Sequence, residues 1–166
     1  MFTKTFLASI VCGLMATAVQ PMSAVAATPS LAGSWQFTLT PTTPTPPVEV
    51  PGLVTFTTDG SAIETDGLEF VPNPASTTPI NGSTPGHGIW QPGNTPASLY
   101  VEYISLVLNT DGSLYGRNVT TMLVSLNSKG NQFSGSYTTT QEVGTITKIL
   151  SSGTVGGLLI PHVPLP

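Results

Sequence analysis

Cysteine is almost missing from this chain, and its scarcity excludes several kinds of site. The single cysteine, Cys12, lies in the first apolar run of the sequence. One thiol permits no intramolecular disulfide and no cysteine-rich metal site. Histidine is scarce as well, because His87 and His162 stand alone and no pair has the spacing of metal ligands. The sequence therefore predicts no resident metal ion and no cofactor.

Positive charge is also scarce. Four Lys and Arg residues stand against eight Asp and Glu residues, and the formal net charge is −4 at pH 7. An acidic surface repels phosphate backbones, so we expect no nucleic-acid partner. The acidic group Glu64, Asp66 and Glu69 lacks the alternating oxygen spacing of a calcium loop, and we expect it in a solvated turn.

Catalytic motifs are missing too. The chain has no Gly-x-Ser-x-Gly segment that would present a serine nucleophile. No residue is therefore predicted to be catalytic, and the sequence favours a protein that is not an enzyme without excluding one.

The first residues have the three-part layout of a secretory signal. Lys4 precedes an apolar run over 6–19, and the small residues Ala24 and Ala26 follow. The run is shorter than the roughly 20 residues that a membrane-spanning helix needs. We expect a signal peptide over 1–26, cleavage near Ala26, and a secreted or periplasmic protein without a stable membrane anchor.

The rest of the chain, 27–166, is predicted to be a single β domain. Turn dipeptides such as Asp59-Gly60 and Asp111-Gly112 separate stretches rich in β-branched and aromatic residues, and no stretch has a helical period. The predicted strands cover 33–40, 53–58, 61–64, 68–71, 88–91, 97–109, 113–126, 131–142 and 144–154. Such a meander most simply closes into an up-and-down barrel of eight or nine strands, and a two-sheet β-sandwich is the alternative.

Three segments are predicted to lie outside the strands. A proline-rich loop covers 41–51, a rim loop rich in Pro, Asn, Ser and Thr covers 71–86, and a C-terminal tail covers 155–166. Loops at a barrel rim are natural lids over its mouth.

Alternation along the strands predicts which side chains face inward. Trp35, Phe37 and Leu39 share one face of the first strand, opposite polar residues. The long central pair, 99–108 and 114–126, is partly apolar on both faces. A loop, the tail or a second copy of the chain would cover the outer face, so a homodimer is one of the expected arrangements.

Several segments together resemble the small exported lipocalin-like (calycin-type) barrels of bacteria. They are Gly33-Ser34-Trp35, Val54-Thr55-Phe56-Thr57-Thr58-Asp59-Gly60, Gly86-His87-Gly88-Ile89-Trp90, Leu108-Asn109-Thr110-Asp111-Gly112 and Phe133-Ser134-Gly135-Ser136-Tyr137. The resemblance implies a lipocalin-like barrel whose Trp35 closes the narrow end. It also implies an arginine packed on that ring, and Arg117, the only arginine in the chain, is the candidate.

Five residues are predicted to bind a ligand at the mouth of the barrel. They are His87, Trp90, Tyr103, Phe56 and Glu102. His87 lies between two glycines after the rim loop, with Trp90 close behind it, and the aromatic residues fall on predicted strands. Glu102 lies in mid-strand, where a carboxylate faces either solvent or a polar cavity.

The leading functional hypothesis is a carrier that holds a small hydrophobic molecule inside the barrel. One alternative is a small barrel enzyme of the isomerase, cyclase or decarboxylase type, with an interior acid or base. The other is a structural or interaction protein whose barrel is filled by its own side chains.

Overall fold

A computed structural model describes residues 29–43, 47–67, 80–95 and 97–161. Within those ranges all regular structure is β-strand, so no helix there is long and apolar enough to cross a membrane. The nine strands are β1 (Gly33–Pro41), β2 (Val50–Phe56), β3 (Ser61–Asp66), β4 (Ile80–Ser83), β5 (Gly86–Pro92), β6 (Ser98–Asn109), β7 (Leu114–Leu126), β8 (Gln132–Val143) and β9 (Ile146–Leu159).

Eight of the strands close into an antiparallel barrel. Each pairs with its neighbour in the order β1, β2, β3, β5, β6, β7, β8, β9, and β9 returns to β1 with Trp35 opposite Leu159. The ninth strand, β4, lies outside this ring and pairs with the end of β6, where Ser83 faces Val107. The predicted all-β barrel is confirmed, and the sandwich alternative is wrong because the sheet has no break between two layers.

The boundaries of all three predicted loop segments change. β9 continues through Leu159, so 155–159 belong to the barrel wall and not to a tail. β4 lies inside the predicted rim loop, and β2 already begins at Val50 within the proline-rich loop. The predicted signal peptide, the predicted strand at 68–71 and residues 162–166 lie outside the described residues.

An apolar core fills one end of the barrel, which we call the closed end. Trp35 and Phe37 point inward as predicted and are almost fully buried. The indole Nε1 of Trp35 donates to the carbonyl of Leu31 at 2.7 Å, and its ring packs on Phe133 with centroids 5.2 Å apart. The buried indole N–H therefore has an acceptor, and the ring contributes its full apolar area to the core.

Glycines make room for the rings of the closed end. Gly33 has a φ of +138°, which favours glycine, and a Cβ there would lie 2.8 Å from Leu159 Cδ1. Gly157 lies under Phe133, where an added Cβ would be 2.3 Å from two ring carbons. The glycine of the Gly-x-Trp segment is thus required by backbone conformation as well as by space.

The outer surface of the barrel is partly apolar. Leu53, Ile63 and Ile89, on the outer face of β2, β3 and β5, are each half exposed. Leu123 on β7 is similarly exposed. Such a surface is compatible with a homodimer, which remains a prediction.

Two adjacent glycines of β9 provide a test of the packing at the closed end. We expect Gly157→Ala to lower the free energy of unfolding by about 1–3 kcal/mol, because the new methyl group must displace the buried Phe133 ring. Gly156→Ala is the matched control, since the nearest atom to its Cβ is 3.9 Å away. It should be neutral or stabilise by up to about 1 kcal/mol. Urea denaturation measures both, and equal effects of the two variants would contradict the packing.

Candidate functional site

The barrel interior changes from apolar to polar along the strands. On β6 the inward positions run from Val101 through Tyr103 to Ser105, and on β7 from Val124 to Thr120. At the end opposite Trp35, hydroxyls, amides and carboxylates therefore replace the rings. We call this the open end.

A cavity of about 110 Å³ occupies the open end. Its lining combines a few apolar side chains with many hydroxyls. The lining residues are Leu39, Pro41, Val50, Asp66, Ser83, Tyr103, Ser105, Asn118, Thr120, Tyr137, Thr139, Leu150 and Ser151. Convergent polar groups at the bottom of a concave, partly apolar space are typical of a ligand site.

Tyr103 lies at the inner boundary of this cavity. It sits on β6 opposite Thr120 of β7, and only 3% of its surface is exposed. Among the described residues, none forms a hydrogen bond with its hydroxyl. The Thr120 hydroxyl lies near enough to favour the phenolate, but it is engaged by Thr139 Oγ1 at 2.9 Å. A buried hydroxyl without a hydrogen bond is unusual in a folded protein, and an acceptor atom of a ligand would satisfy it.

Burial raises the pKa of Tyr103 well above its ordinary value of 10.0, and the negative charges of Glu64 and Asp66 raise it further. Glu64 is only 3% exposed. The side chains of Glu64 and Tyr103 both flank Gly86. A Cβ added at this glycine would lie 2.7 Å from Glu64 Oε2 and 2.6 Å from a ring carbon of Tyr103. The phenol is therefore a hydrogen-bond donor at neutral pH, beside a buried carboxylate.

Other polar side chains of the open end form pairs with one another. Tyr137 Oη and Ser151 Oγ lie 2.7 Å apart, and Gln141 Nε2 donates to Asn118 Oδ1 at 3.3 Å. These pairs link β7, β8 and β9 across the open end, and they fix the shape of the cavity wall around Tyr103.

The predicted ligand site is only partly assembled. Tyr103 lines the cavity, but Phe56 and Trp90 lie at the closed end, where their rings meet edge to face with centroids 6.5 Å apart. Trp90 Nε1 donates to the carbonyl of Thr57 at 2.8 Å. Trp90 thus lies at the same end of the barrel as Trp35, whereas the sequence placed it at the mouth.

His87 and Glu102 are on the outer face of the barrel. His87 is exposed on β5, opposite Ile63 of β3. Glu102 accepts a hydrogen bond of 2.6 Å from the hydroxyl of Tyr100, and this bond raises the pKa of Tyr100 to about 12. Neither residue lines the cavity, so the structure does not bring them together with Tyr103, and their part in binding a ligand stays a prediction.

Arg117 does not stack on Trp35. Its guanidinium pairs with Glu142, with Nε 2.7 Å and Nη2 2.6 Å from Oε2, and half of the arginine side chain is exposed. The indole packs instead on Phe133. The register of β7 against β8 explains the difference, because it places Arg117 opposite Glu142 at the end of β7 that is far from Trp35 and the closed end.

Sequence reasoning missed Glu64 and the hydroxyls of Thr120 and Tyr137. Glu64 was expected in a solvated turn, but it alternates with Ala62, which is buried in the core. Period-two alternation in Ala62-Ile63-Glu64 therefore gives the signal that would have placed the carboxylate inside.

A second concave surface lies on the outside of the barrel. This groove of about 490 Å³ crosses the outer face of β1, β9 and β8, between Gln36, Ser134 and Leu158. Exposed side chains line most of it, so a small molecule there would stay largely in water. The interior cavity is the better ligand site.

Over the described ranges, no three His, Cys, Asp or Glu side chains are grouped so that they could hold a metal ion. Comparison with models of known protein families gives no match, and comparisons with curated proteins and with solved structures give none either. The closed eight-stranded antiparallel barrel is compatible with a lipocalin-like fold.

The raised pKa values of Tyr100 and Tyr103 predict a loss of stability in alkali. Because both folded-state values lie above 10.0, their contribution is complete below that pH and is lost as the pH rises further, through about 12 for Tyr100. We expect Tyr100→Phe and Tyr103→Phe each to reduce the fall in unfolding free energy between pH 9 and 12. Urea titrations at several pH values measure that slope, and slopes identical to that of the unsubstituted protein would refute the assignment.

Proposed function

We propose that this protein is an exported lipocalin-like barrel that binds a small, mainly apolar molecule in the cavity at its open end. The cavity is the observation that carries the proposal. Its inner boundary holds a buried phenol without a hydrogen bond to any described residue, and its walls hold hydroxyls in fixed pairs. Buried polar groups cost free energy, so a barrel interior that served stability alone would be lined by apolar side chains instead.

The size of the cavity limits the part of the ligand that enters. Pockets for drug-sized molecules measure roughly 300–1,000 Å³, and this one measures about 110 Å³. The proposed ligand therefore inserts one end into the cavity and keeps the rest of its length outside it.

The leader sequence supports a place of action outside the cytoplasm. Lys4, the apolar run and the small residues before Ala26 are typical of a secreted or periplasmic protein. We propose a bacterial origin on the same sequence features, together with the resemblance to exported bacterial barrels. A carrier in such a compartment needs no disulfide here, because the barrel has a substantial apolar core.

Blocking the cavity tests the proposal. Ser105 points into it from β6, so Ser105→Leu should fill the space and reduce ligand binding at least about tenfold. Ser136→Leu is the matched control, because Ser136 is exposed on the outer face of β8. Native mass spectrometry of protein purified from its source identifies a retained ligand, and calorimetry with that ligand compares the two variants. Equal binding by both variants would place the ligand elsewhere.

Glu64 supports a second candidate function, a proton-transfer enzyme. The carboxylate is buried inside the barrel beside Tyr103, and such a pair can act as base and hydrogen-bond donor. Glu64 would take a proton from a carbon next to a carbonyl, and Tyr103 would stabilise the enolate. The carboxylic acid would then return a proton to that carbon.

Deuterium exchange tests this candidate. A ketone such as 2-octanone, incubated with the protein in D₂O, should exchange its α-protons faster than in buffer, and proton NMR measures the rate. Glu64→Gln should abolish the acceleration. Glu102→Gln should retain it, because Glu102 lies on the outer face. An exchange rate equal to that in buffer would eliminate proton transfer on simple ketones.

A further inference from the structure

We infer that the cavity selects a neutral molecule with a carbonyl oxygen and that Tyr103 donates the hydrogen bond that binds this oxygen. The inference rests on the proposed ligand-binding function and adds the chemical class of the ligand. Its main support is Tyr103, which lines the cavity and is only 3% exposed, and whose buried hydroxyl has no hydrogen bond to any described residue.

The donor character of Tyr103 favours an oxygen that only accepts. Burial and the neighbouring carboxylates keep the phenol protonated, so it offers a proton at neutral pH. The hydroxyls of Thr120 and Tyr137 are occupied with Thr139 and Ser151. A ligand alcohol would need an acceptor as well as a donor, whereas a carbonyl oxygen needs only the donor.

The distribution of charge disfavours an anionic ligand. Glu64 and Asp66 act on Tyr103 as negative charges, and no Lys or Arg is among the residues that line the cavity. Arg117 is paired with Glu142 on the outside of the barrel. A carboxylate in the cavity would be desolvated next to like charge, without a cation.

The two sides of the cavity suit the two parts of such a molecule. Leu39 of β1, Val50 of β2 and Leu150 of β9 provide an apolar wall. Tyr103 of β6 and Thr120 of β7 lie across the barrel from β1 and β2. A short alkyl chain can therefore pack on one side while its carbonyl oxygen reaches the phenol on the other.

Two probes of equal chain length test this inference. Calorimetry at pH 8 should detect binding of 2-octanone, and octanoate should bind at least about tenfold more weakly. Tyr103→Phe should weaken the binding of 2-octanone about tenfold, because one neutral hydrogen bond is lost. Tyr100→Phe is the matched control and should bind the ketone as the unsubstituted protein does, since Tyr100 faces outward.

The Tyr103→Phe variant should remain folded, because it removes a hydroxyl that has no hydrogen bond to the described residues. Circular dichroism melting curves verify this before the binding measurement.

Tight binding of octanoate would overturn the ligand class and leave the carrier function intact. Unchanged ketone binding by Tyr103→Phe would overturn the role of that residue. Binding of neither probe, with the retained native ligand still bound, would overturn the carbonyl class, and no binding of any ligand would overturn the carrier function itself.

Discussion

Closure of eight strands into one ring is the constraint on which the rest of this structure depends. Because side chains alternate along a strand, closure sends every second residue into a shared interior. At one end those residues are rings such as Trp35 and Phe133, which pack on each other. At the other end the same alternation delivers Tyr103, Thr120 and Tyr137. One geometric rule thus produces both a solid apolar plug and a polar cavity.

The two ends also differ in what they contribute to stability. The closed end buries large apolar side chains, with the indole N–H of Trp35 bonded to Leu31 and that of Trp90 to Thr57, and such burial is the main favourable contribution to folding. The open end buries the Glu64 carboxylate and the Tyr103 phenol. Burying such groups destabilises a fold unless hydrogen bonds or opposite charges compensate for the lost water. A well-packed closed end supplies stability that lets the open end keep polar groups which add none.

The strands were predictable because their signals are local. Alternation in 35–39 identified the inward face of β1, and Asp-Gly turns located the hairpins. The same rule separates His87 from Trp90, which are three positions apart and therefore face opposite sides of β5. Grouping them as one site relied on their closeness in sequence, and period two alone would have corrected that.

Other parts of the site could not be read from the sequence. Arg117 meets Glu142 because the β7–β8 register brings together residues 25 positions apart. Glu102 and Tyr100 share the outer face because they are two positions apart on β6, and only the hydrogen bond between them needed the structure. Residues from five or more strands line the cavity. Its volume therefore depends on closure of the whole barrel and not on any single segment.

The position of the tryptophans has a consequence for optical work on this protein. Trp35 and Trp90 both belong to the closed end, and Phe56 and Phe133 lie against them. Their emission therefore reports whether the closed end is intact, and neither indole lines the cavity near Tyr103. An unchanged tryptophan spectrum on mixing with a small molecule is then what an occupied barrel would show, and tyrosine or the ligand itself is the chromophore to observe.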